Sequence, residues 1–225
     1  IRVLYEKYIK KNKSKFILSK GHGCLALYAT LYDKGFIKKK ELLSVGKFNS
    51  NLGGHPEHDK VKGVEISTGA LGHGLPIAIG MAIASKIKNI KKQYFVVCGD
   101  GEMNEGSIWE SLLSASKHKL DNLTVLVDYN KLQSYGKTYE ILDLEPLTDK
   151  FKSFNFNTFN INGHDVREID KCIKKVLKVK KKPSVIICHT VKGKGIKIAE
   201  GNPSWHHKSF LGENDLNEIE KSLGT

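Results

Sequence analysis

Arginine is nearly absent from this chain: only Arg2 and Arg167 occur, so 35 of the 37 basic residues are lysines. The formal net charge is +13, which taken alone favours a nucleic-acid-binding protein. However, the lysines are scattered or lie in short runs, and aromatic residues are not interleaved with them as a stacking platform for bases requires. We therefore interpret the excess charge as a solvated basic surface and expect no nucleic-acid partner.

Long apolar runs are also missing. The longest candidate, residues 75–84, is ten residues long and rich in small side chains, whereas a membrane helix needs about 18 apolar residues. It is typical of a buried core helix, and no signal peptide is evident. We expect a cytoplasmic protein without a membrane partner.

Cysteine is scarce and irregularly spaced: Cys24, Cys98, Cys172 and Cys188 form no CxxC pair. Cys98 and Cys188 lie in apolar, strand-like runs, where a buried thiol behaves as a small hydrophobic side chain. The pattern indicates a reducing compartment and no disulfide framework.

The length of 225 residues and the hydrophobic content of 40% suit one domain, over residues 1–225. Internal repeats and low-complexity linkers are absent. Apolar runs alternate with helical patterns, which predicts an α/β fold: a mostly parallel sheet with helices on both faces. The predicted strands cover residues 93–98, 123–128, 156–161 and 183–191, and the predicted helices cover residues 24–35, 71–88, 105–119 and 165–178, the last capped by Asp165.

The strand predicted at residues 93–98 ends in Gly99-Asp100-Gly101, directly before a helix. Glycine permits a sharp turn and close approach of a ligand, and a helix N-terminus favours an anion such as phosphate. A carboxylate there would repel phosphate unless a cation lay between them, and Mg²⁺ is the natural mediator. Alternatively, Asp100 is a simple helix cap.

Asn130 follows the next predicted strand, 30 residues after Asp100. If the two strands are neighbours, both side chains can reach one metal ion. A G-D-G followed about 30 residues later by N resembles the signature of thiamine diphosphate enzymes. The resemblance implies thiamine diphosphate as cofactor and Mg²⁺, replaceable by Ca²⁺ or Mn²⁺, held by Asp100, Asn130 and the backbone carbonyl of Leu132.

Further segments narrow the resemblance to the diphosphate-binding domain of transketolases. These segments are "FILSKGHGCLALYATL", "GGHPEHDKVKGVEISTGALGHGLPIAIGMAIA", "GDGEMNEGSIWESLLSASKHKLDNLTVLVDYNKLQ" and "VKGKGIKIAEGNPSWHHK", which together with the C-terminal "ENDLNEIEKSLGT" extend the resemblance over nearly the whole chain. The ending is similar to that of the small, N-terminal subunit in a split transketolase. Other thiamine enzymes share only the G-D-G and N core.

The resemblance also assigns roles to single residues. The implied catalytic histidines are His22, His55 and His206, with His207 as an alternative to His206. The implied cofactor-binding residues are His22, Gly69, Leu71, Gly99, Asp100, Gly101, Glu102, Asn130 and His206. Histidines suit a reaction that moves protons among sugar hydroxyls and a carbonyl near neutral pH.

The resemblance implies transfer of a two-carbon glycolaldehyde unit from a ketose phosphate to an aldose phosphate, as in the pentose phosphate pathway of carbohydrate metabolism. The aminopyrimidine half of the cofactor site belongs to a second domain. We therefore expect a two-plus-two heterotetramer with a C-terminal partner subunit, and inactivity without that partner. Glu105 and Glu110 are expected at the interface between the subunits. Relatives have another S-G-H-P segment before the first helix, so we expect the domain to lack its N-terminal segment.

Three alternatives remain open at this stage. One is another thiamine diphosphate enzyme, such as a deoxyxylulose phosphate synthase or a 2-oxo acid dehydrogenase component. The second is a non-catalytic, basic nucleic-acid-binding domain, which leaves G-D-G and Asn130 unexplained. The third is a degenerate fragment that binds neither cofactor nor partner.

Overall fold

A computed structural model describes residues 1–206, 208 and 210–224. The strands are β1 (Ser14–Leu18), β2 (Gln93–Gly99), β3 (Leu123–Tyr129), β4 (Asn157–Asn162) and β5 (Ser184–His189). The helices are α1 (Arg2–Lys7), α2 (Cys24–Asp33), α3 (Lys39–Leu42), α4 (Gly74–Ile87), α5 (Gly106–Lys117), α6 (Thr138–Ile141), α7 (Leu147–Ser153), α8 (Val166–Val176) and α9 (Glu213–Leu223).

The five strands form one sheet in the order β1-β2-β3-β5-β4, and every pairing is parallel. Successive side chains of β2 point to opposite faces, as the pleat of a strand requires. Val96 and Cys98 pack with α4, α5 and α7, whereas Phe95 packs with α1, α2 and α8. The predicted α/β fold with helices on both faces is therefore confirmed, and it explains why the strands are continuous apolar runs.

The four predicted strands and four predicted helices all form, with shifts of one to three residues at their ends. Asp165 caps α8 as predicted, because its carboxylate accepts hydrogen bonds from the backbone N–H groups of Arg167 and Glu168. All four cysteines are free and buried. Among the described residues, no helix combines the length and the apolar character needed to cross a bilayer.

Two parts of the sequence prediction need correction. The helix predicted from residue 71 begins at Gly74, because Gly72 has a left-handed φ of +77° that interrupts a helix. The strand β1 was not predicted, since its five residues include Ser14 and Lys15 and give a short, mixed pattern. Its position at the sheet edge, paired with β2 alone, explains why it tolerates that composition.

Candidate functional site

The carboxyl ends of β1, β2, β3 and β5 meet at one edge of the sheet. Each strand is followed there by polar or glycine residues, with Leu18 paired to Val97 and Gly99 paired to Asp128. In open parallel sheets, ligands bind outside this edge. A cavity of about 730 Å³ opens at the same place. The described residues with polar side chains that line it include Lys20, His22, Asp128, Asn130, Thr190, Lys192 and His206.

Asp100 lies at the end of β2 and is 2% exposed. Its carboxylate accepts hydrogen bonds from the backbone N–H groups of Gly101 and Lys131. Burial raises the pKa of Asp100, and these two hydrogen bonds only partly oppose the rise. Asp100 forms no ion pair with any described residue, so its buried charge lacks a cation among them.

Asn130 follows β3 and is half-buried. Its side-chain oxygen accepts a hydrogen bond of 3.0 Å from the backbone N–H of Leu132. The segment from Asn130 to Leu132 thus folds back on itself, and Lys131 adopts a left-handed φ of +62° while it binds Asp100. The structure therefore connects the Asp100 and Asn130 segments directly, as the 30-residue spacing predicted.

The donor set around Asp100 fits Mg²⁺ bound together with a diphosphate. Within the described residues, no three His, Cys, Asp or Glu side chains could hold a metal ion by themselves. The predicted set needs only one carboxylate, because an amide, a carbonyl and phosphate oxygens complete an all-oxygen shell of the kind that Mg²⁺ prefers. Asp100, Asn130 and Leu132 would supply the protein's ligands.

A second observation fits a bound group with acceptor oxygens. The side-chain nitrogen of Gln133 is buried and makes no hydrogen bond within the described residues. The Gln133 side chain packs against Gly101, where a Cβ would lie 2.8 Å from Gln133 Cγ. Buried amide donors normally have an acceptor, so this one requires an additional partner beside the Gly99-Asp100-Gly101 turn.

Two of the predicted histidines meet inside the cavity. The rings of His22 and His206 lie 5.3 Å apart, centre to centre. His22 is exposed to the cavity, yet desolvation and the positive charges of Lys20 and Lys192 lower its pKa to about 4. At neutral pH the ring is therefore uncharged and can both donate and accept a hydrogen bond.

His206 is linked to the strand ends on both sides. Its ring nitrogens lie 2.8 Å from Lys192 Nζ and 3.3 Å from Ser134 Oγ. These contacts hold the segment after β5 against the loop after β3. His207, the alternative to His206, lies outside the described residues, so the choice between them rests on His206 lining the cavity.

His55 and Gly69 lie together beside the main cavity. A Cβ on Gly69 would lie 3.2 Å from His55 Cγ, which explains why a larger residue does not fit there. His55 also contributes to the lowered pKa of His22, so the two histidines share one electrostatic environment. Leu71 is half-buried just before α4.

Glu102 occupies a different place from the one expected of a cofactor ligand. It is 1% exposed, and its carboxylate binds Ser19, Gly72 and Gly99 of the protein itself. Glu105 and Glu110 are both exposed, at the start and middle of α5. Their assignment to an interface between subunits stays a prediction.

Sequence reasoning did not identify four polar residues of this site: Lys20, Asp128, Thr190 and Lys192. Lys20 Nζ lies 2.6 Å from Asp128 Oδ2, and Thr190 donates a hydrogen bond to Asp128 Oδ1. Although desolvation opposes it, this pairing holds the pKa of Asp128 below its usual value. Strand-end position was the available signal for Asp128, Thr190 and Lys192, whereas Lys20 follows a strand that the pattern did not reveal.

Comparison with known proteins agrees with this geometry. Residues 5–225 match a family model described as "Transketolase, thiamine diphosphate binding domain". One of the two subunits that make up an apulose-4-phosphate transketolase in Phocaeicola vulgatus is 41% identical over 92% of this chain and 73% of its own length. A 6-deoxy-6-sulfo-D-fructose transketolase subunit from a Clostridium species is 37% identical over 89% of this chain and 73% of its own length.

A solved structure shows the same fold. Transketolase from Leishmania mexicana superposes with a TM-score of 0.90 and 28% identity, over 99% of this chain and 36% of that chain. This chain therefore spans about three quarters of the apulose-4-phosphate relative and about a third of that solved transketolase. The chain belongs to the transketolase family, in which it corresponds to the thiamine diphosphate binding domain.

Proposed function

We propose that this chain is the diphosphate-binding subunit of a split transketolase. Together with a C-terminal partner subunit, it transfers a two-carbon glycolaldehyde unit from a ketose phosphate to an aldose phosphate, with thiamine diphosphate and Mg²⁺. The observation that carries the proposal is the buried Asp100 carboxylate, which has no cation among the described residues and binds the Asn130 segment beside the cavity. The family match over residues 5–225 favours this function over a basic nucleic-acid-binding domain.

The chain's own residues divide the work. Asp100, Asn130 and the carbonyl of Leu132 hold the metal ion, and Lys20 and Lys192 give the cavity positive charge that favours a diphosphate. When bound, thiamine diphosphate supplies the electron sink for breaking and forming a carbon–carbon bond. The cofactor-binding segments also include Gly69, Leu71, Gly99, Gly101 and Glu102.

The three histidines handle protons and hydroxyl groups. His22 is neutral at pH 7, so its ring can orient a substrate hydroxyl without adding charge to a cavity that already contains two lysines. His206 faces His22, and His55 lies beside Gly69 at the neighbouring loop. Proton transfer by such groups typically accelerates a reaction 10²- to 10⁴-fold, roughly.

The partner subunit is supported by the names of relatives and by the surface. Two relatives are named as subunits of transketolases for apulose-4-phosphate and 6-deoxy-6-sulfo-D-fructose. On this chain, Ile77 and Ile87 of α4 and Leu113 of α5 are exposed, although α4 and α5 pack together as neighbours. Exposed apolar side chains on adjacent helices are typical of an interface with another chain.

Calorimetry tests this proposal. Thiamine diphosphate is titrated into the chain with Mg²⁺ or EDTA, with and without a co-expressed C-terminal transketolase subunit. We expect Mg²⁺-dependent binding that strengthens with the partner and weakens at least 100-fold in Asp100→Ala. The matched control is Asp149→Ala, which removes an exposed carboxylate paired with Lys152 and leaves binding unchanged. Lack of binding by the wild-type chain with its partner overturns the proposal.

A further inference from the structure

Glu102 is a buried carboxylate that the proposed chemistry does not use. It lies in a short 3₁₀ turn, Gly101–Asn104, directly after Asp100, and is 1% exposed. Burying a charged group is costly unless hydrogen bonds compensate for the lost water. The contacts of Glu102 therefore show what its presence achieves.

Three groups from three separate segments donate hydrogen bonds to this carboxylate. Oε1 accepts from the backbone N–H of Gly72 at 3.0 Å and from the Ser19 hydroxyl at 2.5 Å. Oε2 accepts from the backbone N–H of Gly99 at 3.1 Å. An ionised carboxylate accepts such bonds at both oxygens, and bonds to a charged group are stronger than neutral ones.

Each of the three donors begins or ends a segment that the proposed function needs. Ser19 precedes Lys20 and His22 in the cavity wall, and Gly99 precedes Asp100. Gly72 follows the stretch that contains Gly69 and Leu71, and its φ of +77° fixes the turn into α4. Glu102 itself is absent from the described residues that line the cavity.

We propose that Glu102 is a positioning residue that ties the Ser19, Gly72 and Gly99 segments into one cofactor cradle without touching the cofactor through its side chain. This rests on the proposed function for the identity of the cofactor. The three segments are far apart in sequence and converge at this carboxylate. Loosening it misplaces the cradle's walls while Asp100 and Asn130 remain intact.

Glu102→Gln tests the proposal with little change in shape. An amide offers one acceptor oxygen and one donor nitrogen, so in either orientation its NH₂ faces the N–H of Gly72 or Gly99. We expect thiamine diphosphate, with Mg²⁺ and the partner subunit, to bind about tenfold more weakly, which corresponds to about 1.4 kcal/mol. The matched control is Glu168→Gln, whose exposed carboxylate also accepts a backbone N–H, from Asn162.

Ser19→Ala is the second variant, and it decides the question if Glu102→Gln does not fold. It removes one of the three donors and leaves both glycine contacts, so we expect a smaller loss of about threefold. Glu102→Gln combined with Ser19→Ala is expected to cost less than the product of the two single effects, because both act on one cluster. Wild-type affinity in a folded Glu102→Gln protein overturns the proposal.

Amide hydrogen exchange separates this proposal from the proposed function. In Glu102→Gln without cofactor, the amides of Gly72 and Gly99 should exchange at least tenfold faster, relative to Ile79 inside α4. Unchanged exchange at both glycines shows that Glu102 does not tie these segments and overturns the proposal. If the wild-type chain fails to bind thiamine diphosphate, the proposed function fails and exchange alone decides the role of Glu102.

Discussion

Lys20 Nζ lies 2.6 Å from Asp128 Oδ2, so a side chain at the end of β1 crosses the end of β2 to reach β3. Gly99 lies under this crossing, where its missing side chain leaves room for the Lys20 stem. The ion pair closes one side of the cavity and connects strands that do not touch each other. It also determines how the site responds to mutation and pH.

Removing the Lys20 charge should destabilise the protein. In Lys20→Met, the Asp128 carboxylate keeps its burial but loses its cation, and we expect the free energy of unfolding to fall by about 2 kcal/mol. Urea denaturation at pH 7 measures the change. Lys152→Met is the control, because its exposed pair with Asp149 contributes less than about 1 kcal/mol.

The same variant has a defined pH dependence. Because Lys20 lowers the folded pKa of Asp128, the pair's contribution is present above the ordinary value of 3.8 and is lost as the pH falls through the lower folded pKa. The difference in unfolding free energy between wild type and Lys20→Met should therefore shrink below about pH 4. A constant difference down to about pH 2 would contradict this linkage.

His22 should titrate far below an ordinary histidine. Desolvation and its positive neighbours lower its pKa to about 4, from a usual value of 6.5. Since the unfolded chain takes up this proton first, His22 makes the protein less stable as the pH falls from 6.5 towards 4. Side-chain NMR measures the midpoint, with His22→Gln to assign the signal, and a midpoint near the usual 6.5 would refute the prediction.

Two glycines should respond to alanine in opposite ways. In Gly21→Ala, the new Cβ meets backbone atoms, 2.8 Å from Gly69 N and 2.9 Å from Thr68 C. Backbone cannot move away cheaply, so we expect a loss of about 2–4 kcal/mol.

In Gly80→Ala, the added Cβ meets no described atom within 4 Å on the exposed side of α4. Alanine favours a helix interior over glycine by about 0.5–1 kcal/mol, so this variant of the isolated chain should become more stable. Thermal and urea unfolding of both variants measure the contrast. Equal effects of the two substitutions would show that the close approach of Gly21 to Gly69 does not matter.

The exposed face of α4 and α5 can be tested separately from the cofactor site. Leu113 is 62% exposed, so Leu113→Glu should leave the isolated chain folded. It should reduce association with the C-terminal subunit at least tenfold, because it places a charge in an apolar contact. Leu223→Glu, at the end of α9, is the control at an exposed leucine. Analytical ultracentrifugation of the mixed subunits measures association, and unaltered binding would remove this face from the interface.

Local patterns in the sequence determined much of the fold. The apolar runs of β2, β3 and β5 and the periodicity of α5 and α8 predict their elements directly, because burial on both faces or on one stripe leaves few other solutions. The Gly99-Asp100-Gly101 turn, Asn130 and the strand-end position of Asp128 were also visible. These features depend on residues close together in the chain or on a fixed spacing between neighbouring strands.

The tertiary structure alone decided which distant groups share the site. β1 is recognisable only through its pairing with β2, and with it came Lys20 and its ion pair with Asp128. Glu102 resembled a cofactor ligand in the sequence, but its carboxylate binds Ser19, Gly72 and Gly99 instead. Hydrogen bonds and ion pairs across 30 to 108 positions depend on how the strands are ordered in the sheet, which no local pattern encodes.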